Sequence, residues 1–267
     1  MPSKKLKSDR PKLSIITVCL NDCDRLIKTI NSVSDNYNDA RFEHIVIDGG
    51  SVDRTTDTVN NFSGFENFKF YSKPDDGIYD GMNRGLAAAS GDWILFLNCG
   101  DVLSMRFDEI LASLGRFDHG LSRYVLCFNY ATEFQGNVWT HKANPLTKIK
   151  LPTSHQAMIF LRDWLIQHPY DAGMKIAADF DAYSKVDSER VWFNLFGDVL
   201  TTVELKGFAF SQPTLSYYEC LVVIWRNNTG VERITRAGFL IAKYFVVTIL
   251  KALLSENMYF KLRAGLL

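Results

Sequence analysis

The sequence predicts an α/β fold, with a mostly parallel central sheet flanked by helices and a C-terminal apolar helical segment. Three observations predict it. Apolar runs of strand length, Leu13 to Leu20, His44 to Asp48 and Trp93 to Leu97, alternate with helical patterns. Each run is apolar throughout rather than at every second residue, the pattern of strands covered on both faces. Polar residues recur where the runs end: Asn21 and Asp22 after the first, Asp48 closing the second, Asp101 after the third. Ligands of such sheets bind outside the carboxyl ends of the strands, so the recurrence locates a site.

Taken in order, Leu13 to Leu20 is β-branched and too short for a buried helix of usual length, so it reads as a strand. Asn21-Asp22 supplies a turn and cap, and Arg25 to Val33 carries a helical pattern. His44 to Asp48 is a second strand, closed by Gly49-Gly50-Ser51. Residues 53 to 62 are expected to be helical, Phe68 to Ser72 a short strand, and Tyr79 to Ala89 a helix. Trp93 to Leu97 is a third apolar strand, ending in Asn98-Cys-Gly-Asp101. Beyond residue 120 the pattern changes. Tyr124 to Tyr130 and Asn137 to His141 read as antiparallel strands around Gln135-Gly136. Pro152 to Gln156 is a loop leading into a strand over Ala157 to Phe160, and Ile176 to Asp181 opens a helix. No Gly/Pro/Ser-rich linker divides the chain, which gives a basic tail (1–12), one continuous domain (13–220) and a C-terminal helical segment (221–267).

Of the 267 residues, 47% are hydrophobic and 22% charged, enough chain to bury a core without disulfides. The five cysteines are an odd number without zinc-site spacing, so free thiols in a reducing, cytoplasmic compartment are expected. The N-terminus is basic but lacks the apolar stretch of a signal peptide. Thirty basic side chains balance thirty acidic ones, which argues against a nucleic-acid partner. The balance is uneven along the chain: residues 1–12 carry +4, residues 13–220 carry −9 and residues 221–267 carry +5. Within the last segment, Gly238 to Leu254 is strongly apolar but shorter than the roughly 20 residues a membrane span needs. Lys243 and Lys251 interrupt it, and Arg226, Arg233, Arg236, Lys261 and Arg263 flank it. It reads either as an in-plane helix on a membrane surface or as a core or dimer-interface helix.

Five stretches share a resemblance: Ile47-Asp-Gly-Gly-Ser-Val-Asp-Arg-Thr55, Lys73 to Gly85 (KPDDGIYDGMNRG), Gly91 to Asp101 (GDWILFLNCGD), Pro152 to Ala157 (PTSHQA) and Lys175 to Asp181 (KIAADFD). In order and spacing they resemble family 2 glycosyltransferases with the GT-A fold, over residues 11 to 205. The subgroup most similar is the colanic-acid and exopolysaccharide type. The resemblance implies a Rossmann-like sheet, a nucleotide-sugar half at 13–105 and an acceptor half at 106–220. It also implies an inverting transferase of the hexosyltransferase type, dependent on Mn2+ or Mg2+. The expected acceptor is a lipid-linked glycan or polysaccharide, used in cell-surface polysaccharide biosynthesis at the inner face of the plasma membrane.

Moving a sugar off a nucleoside diphosphate needs a base-and-ribose pocket, a cation for the departing pyrophosphate and a general base for the acceptor hydroxyl. Asp48 ends a strand before two glycines, which let ligand and backbone approach closely. It reads as a nucleotide-binding residue, or otherwise as a turn cap for the amides of Ser51 or Val52. The family often carries two acids here; this chain has one. Thr17 and Asn21 flank the first strand end and are expected to line the same pocket. Asp101 is the metal candidate, since one or two carboxylates suffice when phosphates complete a hard cation's shell. It matches the last acid of the family's D-x-D-D stretch, which stands here as Asn98-Cys99-Gly100-Asp101. Gly77, Gly81 and Gly85 recur along one helical face, as close packing requires. Asp76 and Asn83 are nucleotide-binding candidates by resemblance. Asp179 matches the family's catalytic base, with Ala178 where Glu is common; a helix cap is its other reading. Asp181 is the second choice. His155 reads equally as a contact to the diphosphate or metal and as a structural hydrogen bonder.

Two competing classes follow. Nucleotidyltransferases cradle a triphosphate on a Gly-rich loop after the first strand, and residues 17–25, TVCLNDCDR, contain no glycine. A catalytically degenerate, membrane-associated nucleotide-binding or scaffolding protein is the alternative that Asn98 and Gly100 leave standing.

Overall fold

The computed structural model describes residues 12–117, 123–134, 136–147, 149–204 and 212–255, with Met258 and Leu262. The first half is built around β1 (Leu13–Cys19), with β2 (Phe42–Asp48) on one side and β4 (Trp93–Phe96) on the other, both parallel to it. β3 (Phe68–Ser72) extends the sheet beyond β2. Helix α1 (Cys23–Ser34) connects β1 to β2, and α2 (Thr55–Val59) with a short 3-10 turn (Asn60–Phe62) connects β2 to β3. Helix α3 (Ile78–Ala88) then carries the chain back past β1 to β4. The strand order therefore reverses between β1 and β4, the switch point at which such sheets open a crevice.

All seven residues of β1 are buried, as the unbroken apolar run requires. Successive side chains enter opposite layers: Ile16 and Val18 join Met82 and Leu86 of α3, while Leu13 and Ile15 join Leu26, Ile30 and Val33 of α1. Helical spacing puts those α1 residues on one face. Gly81 and Gly85 do bring α3 close to the sheet. A Cβ on Gly85 would lie 2.3 Å from Ile16 Cγ2.

The second half continues the same sheet with mixed directions. Its strands are β5 (Val102–Leu103), β6 (Val125–Phe134), β7 (Asn137–His141), β8 (Met158–Leu161) and β9 (Val191–Glu204). The order is β3-β2-β1-β4-β8-β6-β9-β5, with β7 hairpinned onto β6. β9 was not foreseen, since Asn194, Gly197 and Asp198 interrupt its apolar run. Its ladder with β6 slips at Phe128 to Tyr130, where Asn129 Nδ2 donates to Gly197 O at 2.9 Å. Helices α4 (Phe107–Gly115) and α5 (Arg162–Gln167) were also missed, and α6 (Ala178–Ser184) begins two residues later than expected.

The chain ends in a helical hairpin, α7 (Pro213–Asn227) and α8 (Gly230–Leu253). The expected boundary at residue 220 falls inside α7, and Val223 and Ile224 of that helix are fully buried in the layer that holds Ile16 and Phe96. The hairpin is thus part of the domain core on one side. On the other, α8 exposes Val231, Ile234, Phe239, Phe245, Val246, Ile249 and Leu253, each between 56% and 76%. No helix among the described residues is long and apolar enough to cross a membrane.

Candidate active site

The loops past β1 and β2 are stitched together by short polar side chains. Asn21 adopts φ +50, a conformation its residue type tolerates, and its Oδ1 accepts from Val52 N at 2.8 Å. Its own amide donates to Ser51 Oγ at 2.7 Å. Asp53 accepts from Cys23 N at the start of α1 (3.1 Å) and from Thr55 N (3.0 Å). Asp48 is fully buried, and its carboxylate accepts from the Ser51 amide and hydroxyl and from Ser72 Oγ (2.6 Å). The Ser51 contacts match the turn-cap reading, and with Ser72, Lys73 and Arg84, Asp48 also lines a cavity at this end of the sheet. Asp75, which the sequence reading passed over, packs where a Cβ on Gly49 would lie 2.9 Å from its Oδ2. Its Oδ1 accepts from Gly77 N (3.0 Å), which leads into α3, and Asp76 beside it stands exposed.

At the end of β4, Asp101 is 4% exposed and accepts from Glu204 N at 3.2 Å. Burial pushes its carboxyl up to about 7, against the pull of the Glu204 amide and of Arg25. Arg25 bridges the loops, donating from Nε to Glu204 Oε2 and from Nη1 to Asp22 Oδ2, both at 2.9 Å. It also explains Gly100, which has φ +95 and whose Cβ would lie 2.5 Å from Arg25 Nε. Any side chain in that place would have to displace the guanidinium and adopt a left-handed backbone. Asn98 Oδ1 is buried without a partner. An orphaned amide oxygen and a desolvated carboxylate in one four-residue turn are hard donors, and they fit a Mg2+ or Mn2+ ion. Among the described residues no group of three or more His, Cys, Asp or Glu side chains could hold an ion unaided. Phosphate oxygens would have to complete the shell.

Thr17 and Asn83, expected to bind, are engaged inside the fold, and His155 makes the structural hydrogen bond that was one of its two readings. Thr17 is fully buried; its hydroxyl donates to Leu97 O (2.8 Å) and bonds His44 Nε2 (3.0 Å), so it lines no pocket. Asn83 spends both ends of its amide on Tyr170, donating to its carbonyl (2.8 Å) and accepting from its N–H (3.0 Å). His155 is 6% exposed, stacks on Phe96 and bonds Tyr170 Oη at 2.7 Å. Burial holds it neutral, lowering its pKa to about 3, so it offers no cation to a diphosphate.

Asp179 lies in the first turn of α6 and is partly buried. Its Oδ1 accepts from Phe180 N (2.7 Å) and from the Tyr79 hydroxyl (3.3 Å), which also donates to Ile176 O (2.6 Å). Desolvation raises its pKa to about 6, opposed by those hydrogen bonds. Tyr79 belongs to α3 of the first half, and Lys175 Nζ reaches Asp76 O at 3.4 Å, so the two halves meet here. Asp181 points away, paired with Lys185 (2.6 Å) and Asn227 (2.9 Å). Sequence reasoning also missed Arg25 and Glu219. Neither falls in a motif, and both act across more than 40 residues.

A mixed α/β sheet with its crevice at the β1/β4 switch point, acids on the turns and a second-half carboxylate against α3, defines a GT-A-type transferase fold. The chain belongs to glycosyl transferase family 2, which it matches over residues 14–179. A "PGL/p-HBAD biosynthesis glycosyltransferase" of Mycobacterium bovis is 30% identical over 243 residues, 85% of this chain and 94% of that protein. An uncharacterized glycosyltransferase of Mycobacterium tuberculosis is 48% identical over 96 residues, a stretch that covers 35% of this chain and only 36% of that protein. Among solved structures, S. aureus TarS 1-349 with UDP-GlcNAc superposes with a TM-score of 0.66 at 16% identity, covering 92% of this chain and 77% of that one. The mannosyltransferase PcManGT of Pyrobaculum calidifontis, in complex with GDP-Man and Mn2+, gives 0.63 at 12% identity, covering 97% and 80%. At those identities the likeness shows the fold alone.

Proposed function

We propose that the protein is an inverting glycosyltransferase that moves a sugar from a nucleoside-diphosphate donor to a lipid-linked or polysaccharide acceptor. The observation that carries this reading is Asp179: a partly desolvated carboxylate held by Tyr79 where the two halves meet. With a pKa of about 6 it is mostly ionised at neutral pH and basic enough to take a hydroxyl proton. The acceptor hydroxyl attacks the anomeric carbon while its proton passes to Asp179 Oδ. The bond from that carbon to the diphosphate oxygen breaks, the electron pair leaves with the diphosphate, and the configuration inverts. The loop after β1 and the 48–55 and 73–77 turns orient the donor, with Asn21 exposed on the first and Asp76 on the last. A divalent cation held by Asp101 and Asn98 would supply charge neutralisation for the leaving diphosphate.

The partition follows the chemistry, with 13–105 as the nucleotide-sugar half and 106–220 as the acceptor half. The mycobacterial relative named for PGL/p-HBAD biosynthesis and the motif variants support a cell-surface glycoconjugate pathway, of which the exopolysaccharide type is the reading carried forward. The uncovered apolar face of α8 and its flanking arginines and lysines support a peripheral position at the inner face of the plasma membrane. The test is transfer from a nucleotide-sugar panel that includes UDP-GlcNAc and GDP-mannose, with and without Mn2+, and the anomeric configuration of the product read by NMR. Retention of configuration, or wild-type turnover by Asp179→Asn, would overturn the assignment.

A further inference from the structure

We infer that Glu219 is a positioning residue for Asp179, reaching the base from the C-terminal hairpin rather than from the sheet; the inference rests on Asp179 being the base. Glu219 sits on α7 and is only 7% exposed. Its two oxygens accept three consecutive backbone N–H groups: Lys175 (2.8 Å), Ile176 (2.8 Å) and Ala177 (2.9 Å). These are the residues that lead into α6, at the end of the non-helical stretch that follows α5.

The local sequence cannot do this work. A helix start leaves amides without intrahelical partners, ordinarily met by a Ser, Thr, Asp or Asn at the cap. The cap here is Ala177, which has no side-chain acceptor, and no cap bond forms from it. The carboxylate on α7 instead holds the three amides just ahead of the helix, those of Lys175, Ile176 and the Ala177 cap itself, through charge-assisted bonds that fix the entry of the chain into α6. Ile176 is the pivot. Its N–H is bound by Glu219 while its carbonyl accepts the Tyr79 hydroxyl, and that hydroxyl also meets Asp179. Loosening Glu219 therefore releases both the backbone of Asp179 and the group that orients its carboxylate. Arg226 and Asn227, further along the same helix, hold Asp171 and Asp181 on either side.

The arrangement also has an electrostatic consequence. The groups around Asp179 are Tyr79 from α3, Tyr170 from the preceding loop, and Glu219 and Cys220 from α7, with Lys243 of α8 acting on Cys220. Glu219 is the like charge among them, and it works with burial to keep Asp179 basic.

Glu219→Gln keeps the shape, removes the charge and turns one acceptor into a donor. Full-length protein labelled with 13C-aspartate, with Asp179→Asn to assign the signal, is titrated without substrate. The Asp179 carboxyl should move from a midpoint of about 6 in the wild type to a lower value in the variant. Steady-state transfer should show kcat down by about 10- to 100-fold with donor KM within about twofold, the loss typical of a misplaced reacting group. An unmoved midpoint with kcat reduced only in proportion to folded protein would reduce Glu219 to scaffolding and overturn the inference. Should the variant not fold, hydrogen exchange of the wild type decides. The Ile176 and Ala177 amides should exchange slowly, and free exchange there refutes the clamp. Both the titration and the exchange need no turnover, so they stand apart from failure of the proposed reaction.

Discussion

Asp101 and Asp179 are the same residue type, both raised by burial, and the structure holds them in different ways. Asp101 is almost closed off, its carboxylate bound to the backbone of Glu204 at the end of the neighbouring strand β9 and flanked by the Arg25 guanidinium. Asp179 is more open and is held by its own neighbour's N–H and a tyrosine hydroxyl. The first surroundings suit a fixed ligand whose excess charge a cation would relieve; the second suit a group that must gain and lose a proton. Environment, not residue type, divides the proposed roles.

The largest expected effect separates them directly. Asp179→Asn should lower kcat by roughly 10²–10⁴ while leaving donor binding intact, since it removes only proton transfer. Asp101→Asn should instead weaken Mn2+-dependent donor binding, read by calorimetry with UDP or GDP in the presence and absence of Mn2+. If both variants lose donor binding equally, the division of roles fails.

The pH profile sharpens the same comparison. Transfer should rise with pH through a limb near 6, where Asp179 becomes the carboxylate, and then level off. Stability runs the other way. A folded pKa above the ordinary value near 4 means the folded state favours the proton, so stability present at low pH is lost as pH climbs through 6. Asp179→Asn should therefore melt higher than wild type at pH 8 and about the same at pH 4. An unchanged melting difference across that window would show that Asp179 is not the perturbed group.

Thr17 makes a smaller test, and it bears on what the sequence could disclose. Periodicity and strand-end polarity placed β1, β2, β4 and the crevice, because those features are local. They could not say which way a polar strand residue points. Thr17 sits in an apolar run beside the site, yet its hydroxyl is consumed inside the core by Leu97 and His44. Asn83 misled in the same manner, because its partner Tyr170 lies 87 residues away; His155, open between two readings, bonds the same tyrosine 15 residues on. Arg25 and Glu219 were invisible for the converse reason: their partners, Glu204 and residues 175–177, are set by topology, and neither Arg25 nor Glu219 itself falls in a motif. Thr17→Val should cost about 1–3 kcal/mol of stability by leaving buried polar partners unmet. It should not change donor KM; a raised KM would return Thr17 to the pocket.

The smallest expected effect on turnover concerns α8, whose two faces repeat the contrast at the scale of a helix. Leu240 is buried against α7, whereas Phe239 and Phe245 project from the other side at 64% and 60% exposure. Arg236 and Lys243 lie within about 60° of Phe239 on the 100° helical wheel, with Lys243 at one edge of that apolar strip, so an anionic leaflet could meet both the strip and its basic border. Flotation with vesicles containing anionic phosphatidylglycerol should capture the wild-type protein at low salt and release it as salt rises, because the attraction decays over a Debye length of about 10 Å at 0.1 M. Phe239→Glu with Phe245→Glu should abolish capture while leaving turnover on a water-soluble acceptor unchanged, since neither side chain reaches the core. Capture by neutral vesicles alone, insensitive to salt, would remove the basic border from the explanation. A shift from dimer to monomer in the double variant, with no vesicle binding by the wild type, would assign the strip to a second copy of the chain.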